Sequence, residues 1–183
     1  MFDVLLFGDS ILAGYRNGFV APVITNAVQT AFPNWQVGNA SVPGDTTEMA
    51  LERVTFDVGV QQPRRLVLFF GANDLDVFSG ITPETYQANL VTLAQASGAN
   101  DILLVGPPLI DEKRVPDRPI KAQIRYNHAA QLAATACQAT YLDLWSLMDA
   151  QPSDLHVADG LHLNNAGNDL LCRALIASLK LFV

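Results

Sequence analysis

The sequence predicts an α/β protein in which helices cover both faces of a parallel sheet. Short, continuous apolar runs alternate five times with longer segments of helical character. Runs such as LVLFF at 66–70 and ILLV at 102–105 have no polar face, which is typical of strands buried on both sides. Because a helix follows each strand, the chain returns across the sheet before the next strand begins, and this produces a parallel sheet.

Five strands are predicted, each from an apolar run. In chain order they lie at 2–7, 35–40, 66–70, 102–105 and 140–144. Five helices are predicted between and after them, at 18–32, 45–56, 83–97, 120–139 and 164–181. The first helix is expected to begin near Asn17 and to end before Pro33, because a proline disfavours helix in the residue before it. The third opens with Thr82-Pro83-Glu84, an N-cap followed by proline in the first turn.

Length and composition indicate one globular domain spanning residues 1–183. Hydrophobic residues make up 50% of the chain and charged residues 16%, which excludes a disordered protein. The formal net charge of -7 argues against a nucleic acid as the main partner, since that partner requires a basic face.

No apolar run is long enough to span a membrane. No basic segment precedes the first apolar run, so we expect no signal peptide and a cytoplasmic location, with a trimmed secreted form as the alternative.

The cysteines and histidines do not form a metal-binding pattern. Cys137 and Cys172 lie in helical-looking segments, and we expect two buried free thiols, with a disulfide as the alternative. The three histidines have neither H-x-x-x-H nor H-x-H spacing, so we expect no metal site. We also expect no cofactor.

One long irregular stretch, 106–119, contains Pro107, Pro108 and Pro116, which oppose both helix and strand. It also carries the charged run DEKR at 111–114. It is either a solvated surface loop or a lid or rim over the active site, because long loops in compact domains are often functional.

Polar residues follow the predicted strands. Ser10 comes after the first strand, Gly44 after the second and Asn73 after the third, while Asp159 and His162 precede the last helix. Ligands of open α/β sheets bind beyond the carboxyl ends of the strands, so we expect these residues to meet at one edge.

These residue types together suit nucleophilic catalysis. A serine hydroxyl needs a base to take its proton, and histidine is the usual base when a carboxylate holds its other ring nitrogen. Asp159 and His162 are three positions apart, which would place them on one face of a helical turn. The backbone N–H groups of Ser10 and Gly44 and the side-chain amide of Asn73 are candidate donors to a developing oxyanion.

Each of these residues also has a purely structural interpretation. Ser10 could be a helix N-cap, Asp159 and His162 a capping pair, and Gly44 and Asn73 turn formers. Because all five residues occur together, each after a predicted strand or before the last helix, catalysis is the favoured interpretation.

Other candidates are weaker. Asp154 and His156 also place a carboxylate near a histidine, but a two-residue separation would point them apart on a helix. His128 is expected to be a surface or structural residue. Asp9 and Asp74 are expected to order the loops at the strand ends without a chemical role. Phe78 and Ile81 could either line an acyl pocket or pack in the core.

Four blocks of the sequence, in this order, resemble the SGNH hydrolases, also called GDSL esterases: Gly8-Asp9-Ser10, Gly44, Gly71-Ala72-Asn73-Asp74 and Asp159-Gly160-Leu161-His162. The resemblance implies a flavodoxin-like, three-layer α/β/α sandwich with strand order 2-1-3-4-5. It implies Ser10 as nucleophile, His162 as base and Asp159 as its partner. It also implies an oxyanion hole formed by Ser10, Gly44 and Asn73.

A narrower resemblance concerns the substrate. The stretches at 69–74, 107–112 and 159–163 are similar to the isoamyl-acetate-hydrolysing esterase branch, which implies short-chain carboxylic esters such as acetates. With Ser10 as nucleophile, hydrolysis is expected to pass through an acyl-enzyme. The bacterial thioesterase/lysophospholipase branch shares GDTT at 44–47 and is the alternative. A non-catalytic, flavodoxin-like binder of small molecules is the alternative of a different class, although the loop after the first strand lacks the glycines and hydroxyls of a phosphate cradle.

Overall fold

The computed structural model describes all 183 residues, from Met1 to Val183. In chain order the strands and helices are β1 (Val4–Gly8), α1 (Ser10–Ala13), β2 (Tyr15–Arg16), β3 (Phe19–Val20), α2 (Val23–Ala31), β4 (Val37–Asn39), α3 (Thr47–Asp57), β5 (Arg65–Phe69), α4 (Pro83–Ala96), β6 (Asp101–Val105), α5 (Ile120–Ala136), β7 (Thr140–Leu142), α6 (Leu144–Asp149) and α7 (Asn165–Leu179). Two single 3-10 turns lie at Gly59–Gln61 and Lys180–Phe182.

The central sheet has five parallel strands in the order β4-β1-β5-β6-β7. This is the predicted order 2-1-3-4-5, so the fold class is confirmed. Every residue of β1 is buried, as expected for a strand covered on both faces. Helix α2 packs with α7, while α4 packs with both α3 and α5, giving the two outer layers.

The predicted start of the first helix is wrong. Residues 15–20 form a small antiparallel hairpin, β2 with β3, and α2 begins only at Val23. Asn17 and Gly18 both have positive φ, at 51° and 88°, which is the conformation of a two-residue hairpin turn. The Asn-Gly pair is therefore a turn signal, and Pro22 stands at the N-cap of the shortened helix.

Two short helices were not predicted. Helix α1 begins at Ser10, with Asp9 as its N-cap, and α6 begins at Leu144, with Asp143 as its N-cap. With four and six residues respectively, both are too short to produce a periodic apolar pattern. The other predicted helices lie within three residues of the observed bounds.

The cysteines are confirmed as free thiols, but both are half-buried and not buried as expected. None of the helices combines the length and apolar character that crossing a bilayer requires.

Candidate active site

Ser10 lies at the carboxyl end of β1, where the strand turns directly into α1. The carboxylate of Asp9 caps this helix, since its Oδ1 accepts the N–H of Ile11 at 2.9 Å. Ser10 is the first helical residue, so its own N–H has no acceptor within the helix. The strand and the cap together hold the Ser10 hydroxyl and N–H at the edge of the sheet.

His162 joins Ser10 to Asp159. Its Nε2 lies 3.0 Å from the Oγ of Ser10, and its Nδ1 lies 2.7 Å from the Oδ2 of Asp159. The imidazole is largely shielded, with 13% of the side chain exposed, whereas the Asp159 side chain is 46% exposed. The three side chains form an unbroken line of hydrogen bonds that could move a proton away from Ser10.

The geometry of the Asp159–His162 pair differs from the helical turn that we expected. The segment is a bend that precedes α7. The Oδ1 of Asp159 accepts the N–H groups of Leu161 and His162, both at 2.9 Å, so the carboxylate itself shapes the turn. Partial burial acts to raise the pKa of Asp159. The hydrogen bonds from the His162 ring and the two N–H groups outweigh burial, and the pKa lies below its usual range.

Gly44 and Asn73 stand on either side of Ser10, because β1 lies between β4 and β5. Gly44 is exposed in a turn with φ of +91°, and this turn is tied to β1 by the N–H of Val42, which donates to the Gly8 carbonyl at 3.0 Å. Asn73 follows β5, and its Nδ2 donates to the carbonyl of Asp45 at 2.9 Å. One N–H of this amide is thereby oriented, which leaves the second available to a ligand.

A profile of the GDSL-like Lipase/Acylhydrolase family matches residues 6–170. The chain belongs to this family. Its relatives include the isoamyl acetate-hydrolyzing esterase 1 homolog of Mus musculus, which is 30% identical over 92% of this chain and 77% of the relative. Thioesterase 1/protease 1/lysophospholipase L1 of Escherichia coli is 31% identical over 69% of this chain and 56% of the relative. The crystal structure of the lipase/acylhydrolase from Enterococcus faecalis is 35% identical and superposes with a TM-score of 0.93, over 98% of this chain and 96% of that one.

These matches confirm the predicted family and enzyme class. This GDSL hydrolase is a carboxylic ester hydrolase. The alternative of a non-catalytic flavodoxin-like binder is wrong.

The second carboxylate–histidine pair lies elsewhere in this hydrolase. Asp154 and His156 do contact each other, with Oδ1 and Nδ1 3.1 Å apart, so the expectation that they point apart is wrong. The reason is that this segment is not helical. The Nε2 of His156 lies 2.8 Å from the carbonyl of Leu109, which makes the ring a tie between two loops. His128 is exposed on α5.

The irregular stretch 106–119 is bound to both sides of the site. On one side, the Arg118 guanidinium donates to the carbonyl of Ala72 at 2.7 Å, next to Asn73. On the other, the N–H of Asp111 donates to the carbonyl of Gly160 at 3.0 Å. Arg114 adds a bond to the carbonyl of Val157 at 3.0 Å. These ties fix the stretch along the edge of the site, as expected for a rim. The bonds made by the two arginines were not predicted from the sequence.

Asp9 and Asp74 order the loops at the strand ends, as the sequence predicted. Both carboxyl groups are fully buried, and the Oδ2 atom of each lacks a hydrogen-bond partner. Burial raises the pKa of Asp9 to about 7, and the nearby carboxylates of Asp74 and Asp45 add to the rise. Burial also raises the pKa of Asp74 to about 6, against hydrogen bonds from Thr47 that lower it.

Aromatic and apolar side chains near the site take different positions. The ring of Tyr15, on the unpredicted hairpin, lies against the His162 ring with centroids 4.7 Å apart. Ile81 is buried in the core, whereas Phe78 is 81% exposed. Of the two residues considered for an acyl pocket, Phe78 alone is free to meet a ligand.

Proposed function

We propose that this GDSL hydrolase cleaves short-chain carboxylic esters through an acyl-enzyme on Ser10, with His162 as general base and Asp159 as the carboxylate that orients it. The observation that carries the proposal is the line of hydrogen bonds from Ser10 Oγ through His162 to Asp159, at 3.0 and 2.7 Å. Both distances lie within the range required for proton transfer.

In the first half of the reaction, Ser10 Oγ attacks the ester carbonyl while His162 Nε2 takes the hydroxyl proton. The carbonyl oxygen becomes an oxyanion, which accepts hydrogen bonds from the N–H groups of Ser10 and Gly44 and from the amide of Asn73. The C–O bond to the alcohol then breaks, and the imidazolium of His162 donates its proton to the departing alkoxide. Asp159 stabilises the imidazolium that exists between these two transfers.

In the second half, His162 takes a proton from water, and the resulting hydroxide attacks the acyl-enzyme. The tetrahedral species collapses with cleavage of the bond to Ser10 Oγ, which regains its proton from His162. The products are one carboxylic acid and one alcohol, and no cofactor takes part.

The short acyl chain is supported by the isoamyl acetate-hydrolyzing esterase relatives, which align with 92% of this chain. A thioesterase activity is the second candidate. It is supported by the Escherichia coli relative and by the stretch Gly44-Asp45-Thr46-Thr47.

The test is a series of p-nitrophenyl esters from acetate to palmitate, with acyl-CoA and acetylated sugars assayed in parallel. We expect kcat/KM to be highest for the shortest acyl chains. A maximum at long chains would contradict the short-chain assignment, and faster turnover of acyl-CoA would favour the thioesterase. A fluorophosphonate should label the wild-type chain and leave Ser10→Ala unlabelled, and labelling of that variant would refute the nucleophile.

A further inference from the structure

We propose that Thr47 and Asp74 are positioning residues that hold the turns carrying Gly44 and Asn73 at a fixed separation. The inference rests on the proposed function, because it concerns the two donors assigned to the oxyanion on either side of Ser10.

The sheet does not connect these two turns directly. The Gly44 turn follows β4 and the Asn73 turn follows β5, but β1 lies between the two strands. No ladder hydrogen bond therefore joins β4 to β5, and the distance between the turns depends on contacts beyond the strand ends.

Side chains make the missing connection. The Oδ1 of Asp74 accepts the backbone N–H of Thr47 at 2.9 Å and also accepts the Thr47 hydroxyl. Asp74 directly follows Asn73, and Thr47 comes three residues after Gly44 as the first residue of α3. A second bond runs in parallel, from the Asn73 amide to the carbonyl of Asp45.

The Thr47 hydroxyl has a defined direction. Its Oγ1 accepts the side-chain amide of Asn89, on α4, at 3.0 Å. Because Asn89 is the donor, the hydroxyl hydrogen of Thr47 is directed to Asp74, which only accepts when ionised. Thr47 and Asp74 both have 0% exposure, so water cannot replace either bond.

The arrangement costs stability, which argues for a function. Asp74 keeps a fully buried carboxyl group whose Oδ2 has no partner. A buried, half-satisfied carboxylate is less favourable than an apolar or neutral side chain of the same size. Such a loss of stability is expected where the group serves catalysis. A displacement of a positioned group by about 1 Å can slow a reaction by about 10²-fold.

The first test compares Thr47→Val with Thr47→Ser. Valine has nearly the same shape but lacks the hydroxyl, whereas serine retains it. We expect Thr47→Val to lower kcat for p-nitrophenyl acetate by about tenfold or more with KM nearly unchanged, because the donors act in the transition state. We expect Thr47→Ser to remain within about threefold of the wild type. Active sites are counted by fluorophosphonate labelling, so misfolded protein does not affect kcat.

Asn89→Ala provides a second variant, at a half-buried position within α4, and alanine is the most favourable residue in a helix. It removes the donor that orients Thr47 and should lower kcat in the same direction, by about threefold or more. Wild-type kcat per labelled site in both Thr47→Val and Asn89→Ala would overturn the inference.

The deciding measurement places Thr47→Val in an Asn73→Ala background. Asn73→Ala removes one donor and its bond to the carbonyl of Asp45, while the Gly44 turn stays tied to β1 by the bond from the N–H of Val42 to the carbonyl of Gly8. With one donor absent, the separation of the two donors no longer matters, so Thr47→Val should then lower kcat by less than about twofold. Effects that multiply would show that Thr47 does not act through the donor pair, and would overturn the inference. If Ser10→Ala and Asn73→Ala instead leave kcat unchanged, the proposed function itself has failed.

Discussion

The Nε2 atom of His162 lies 3.0 Å from the Oγ atom of Ser10, although 152 positions separate the two residues in the chain. The contact joins the carboxyl end of the first strand to the bend before the last helix. Neither group can perform the proposed proton transfer without the other.

Ser10→Ala and His162→Ala should therefore have similar effects on turnover. We expect each to lower kcat for p-nitrophenyl acetate by about 10⁴-fold or more, and the double variant to be no slower than either single variant. Circular dichroism would establish that the fold persists. Losses that multiply in the double variant would show that the two residues act independently.

A comparison of Asp159→Asn with Asp154→Asn should show which of the two carboxylate–histidine pairs supports catalysis. The first change removes the charge that supports His162, and kcat should fall by about 10²–10⁴-fold. The second affects His156, whose ring is held by Leu109 and has no hydrogen bond with Ser10. It also weakens the ion pair of Asp154 with Arg114, but Arg114 stays bound to Asp111 and to the carbonyl of Val157, so kcat should stay within about threefold of the wild type. Steady-state kinetics of both variants decide the question, and the opposite ranking would make Asp154 and His156 the functional pair.

Gly160→Ala should disturb the bend that carries Asp159 and His162. Its φ is +74°, and an added Cβ would lie 2.6 Å from the Cβ of Arg114. Gly80→Ala is the matched control, because its φ is +73° but its Cβ would meet no atom within 4 Å. Both variants should lose about 1–2 kcal/mol of stability from backbone strain.

Only Gly160→Ala should also lose activity, by about tenfold or more, because Arg114 or the bend must move. Thermal denaturation and kcat, measured on both variants, test this expectation. Equal kcat values for the two would mean that the contact with Arg114 does not position the bend.

Asp9→Asn should change how stability depends on pH. Burial raises the pKa of Asp9 from 3.8 to about 7, so the folded chain binds this proton more tightly than the unfolded chain does. The resulting stabilisation is fully present below about pH 4 and is lost as the pH rises through about 7. Asparagine does not titrate, and its side-chain oxygen could still accept the N–H of Ile11.

Between pH 4 and pH 9, the free energy of unfolding of Asp9→Asn should therefore rise relative to that of the wild type, by up to about 4 kcal/mol. Urea denaturation of both chains at several pH values measures the difference. A difference that is the same at every pH would contradict the shifted pKa.

Most of the sheet could be predicted from the sequence because its strands are continuous apolar runs, such as 66–70, that no amphipathic helix would contain. The hairpin at 15–20 was not predicted, because Asn17 and Gly18, which form its turn, were interpreted as the start of a helix. Helix α1 could not be predicted from periodicity, because a four-residue helix depends on the Asp9 cap and on packing instead.

For the candidate site, the sequence allowed prediction of the residues but not of the local geometry or of the contacts between loops. Ser10, His162 and Asp159 have side chains whose chemistry is recognisable in the sequence, and the structure brings them together. The bend between Asp159 and His162 was not predicted, since spacing alone cannot distinguish it from a helical turn. Contacts such as that of Thr47 with Asp74, 27 positions apart, depend on how separate loops meet and leave no local pattern.

The position of Ser10 on a strand between two others has a consequence for inactivation. The register of β1 against β5, with Gly8 opposite Phe69, sets where Ser10 stands relative to Asn73. A shift of one residue would move a strand by about 3.3 Å and reverse its faces. The catalytic residues therefore cannot keep their relative positions if a strand of the sheet shifts in register. Catalysis and the buried sheet should disappear in one cooperative transition, so that residual esterase activity on heating reports the fraction of folded molecules.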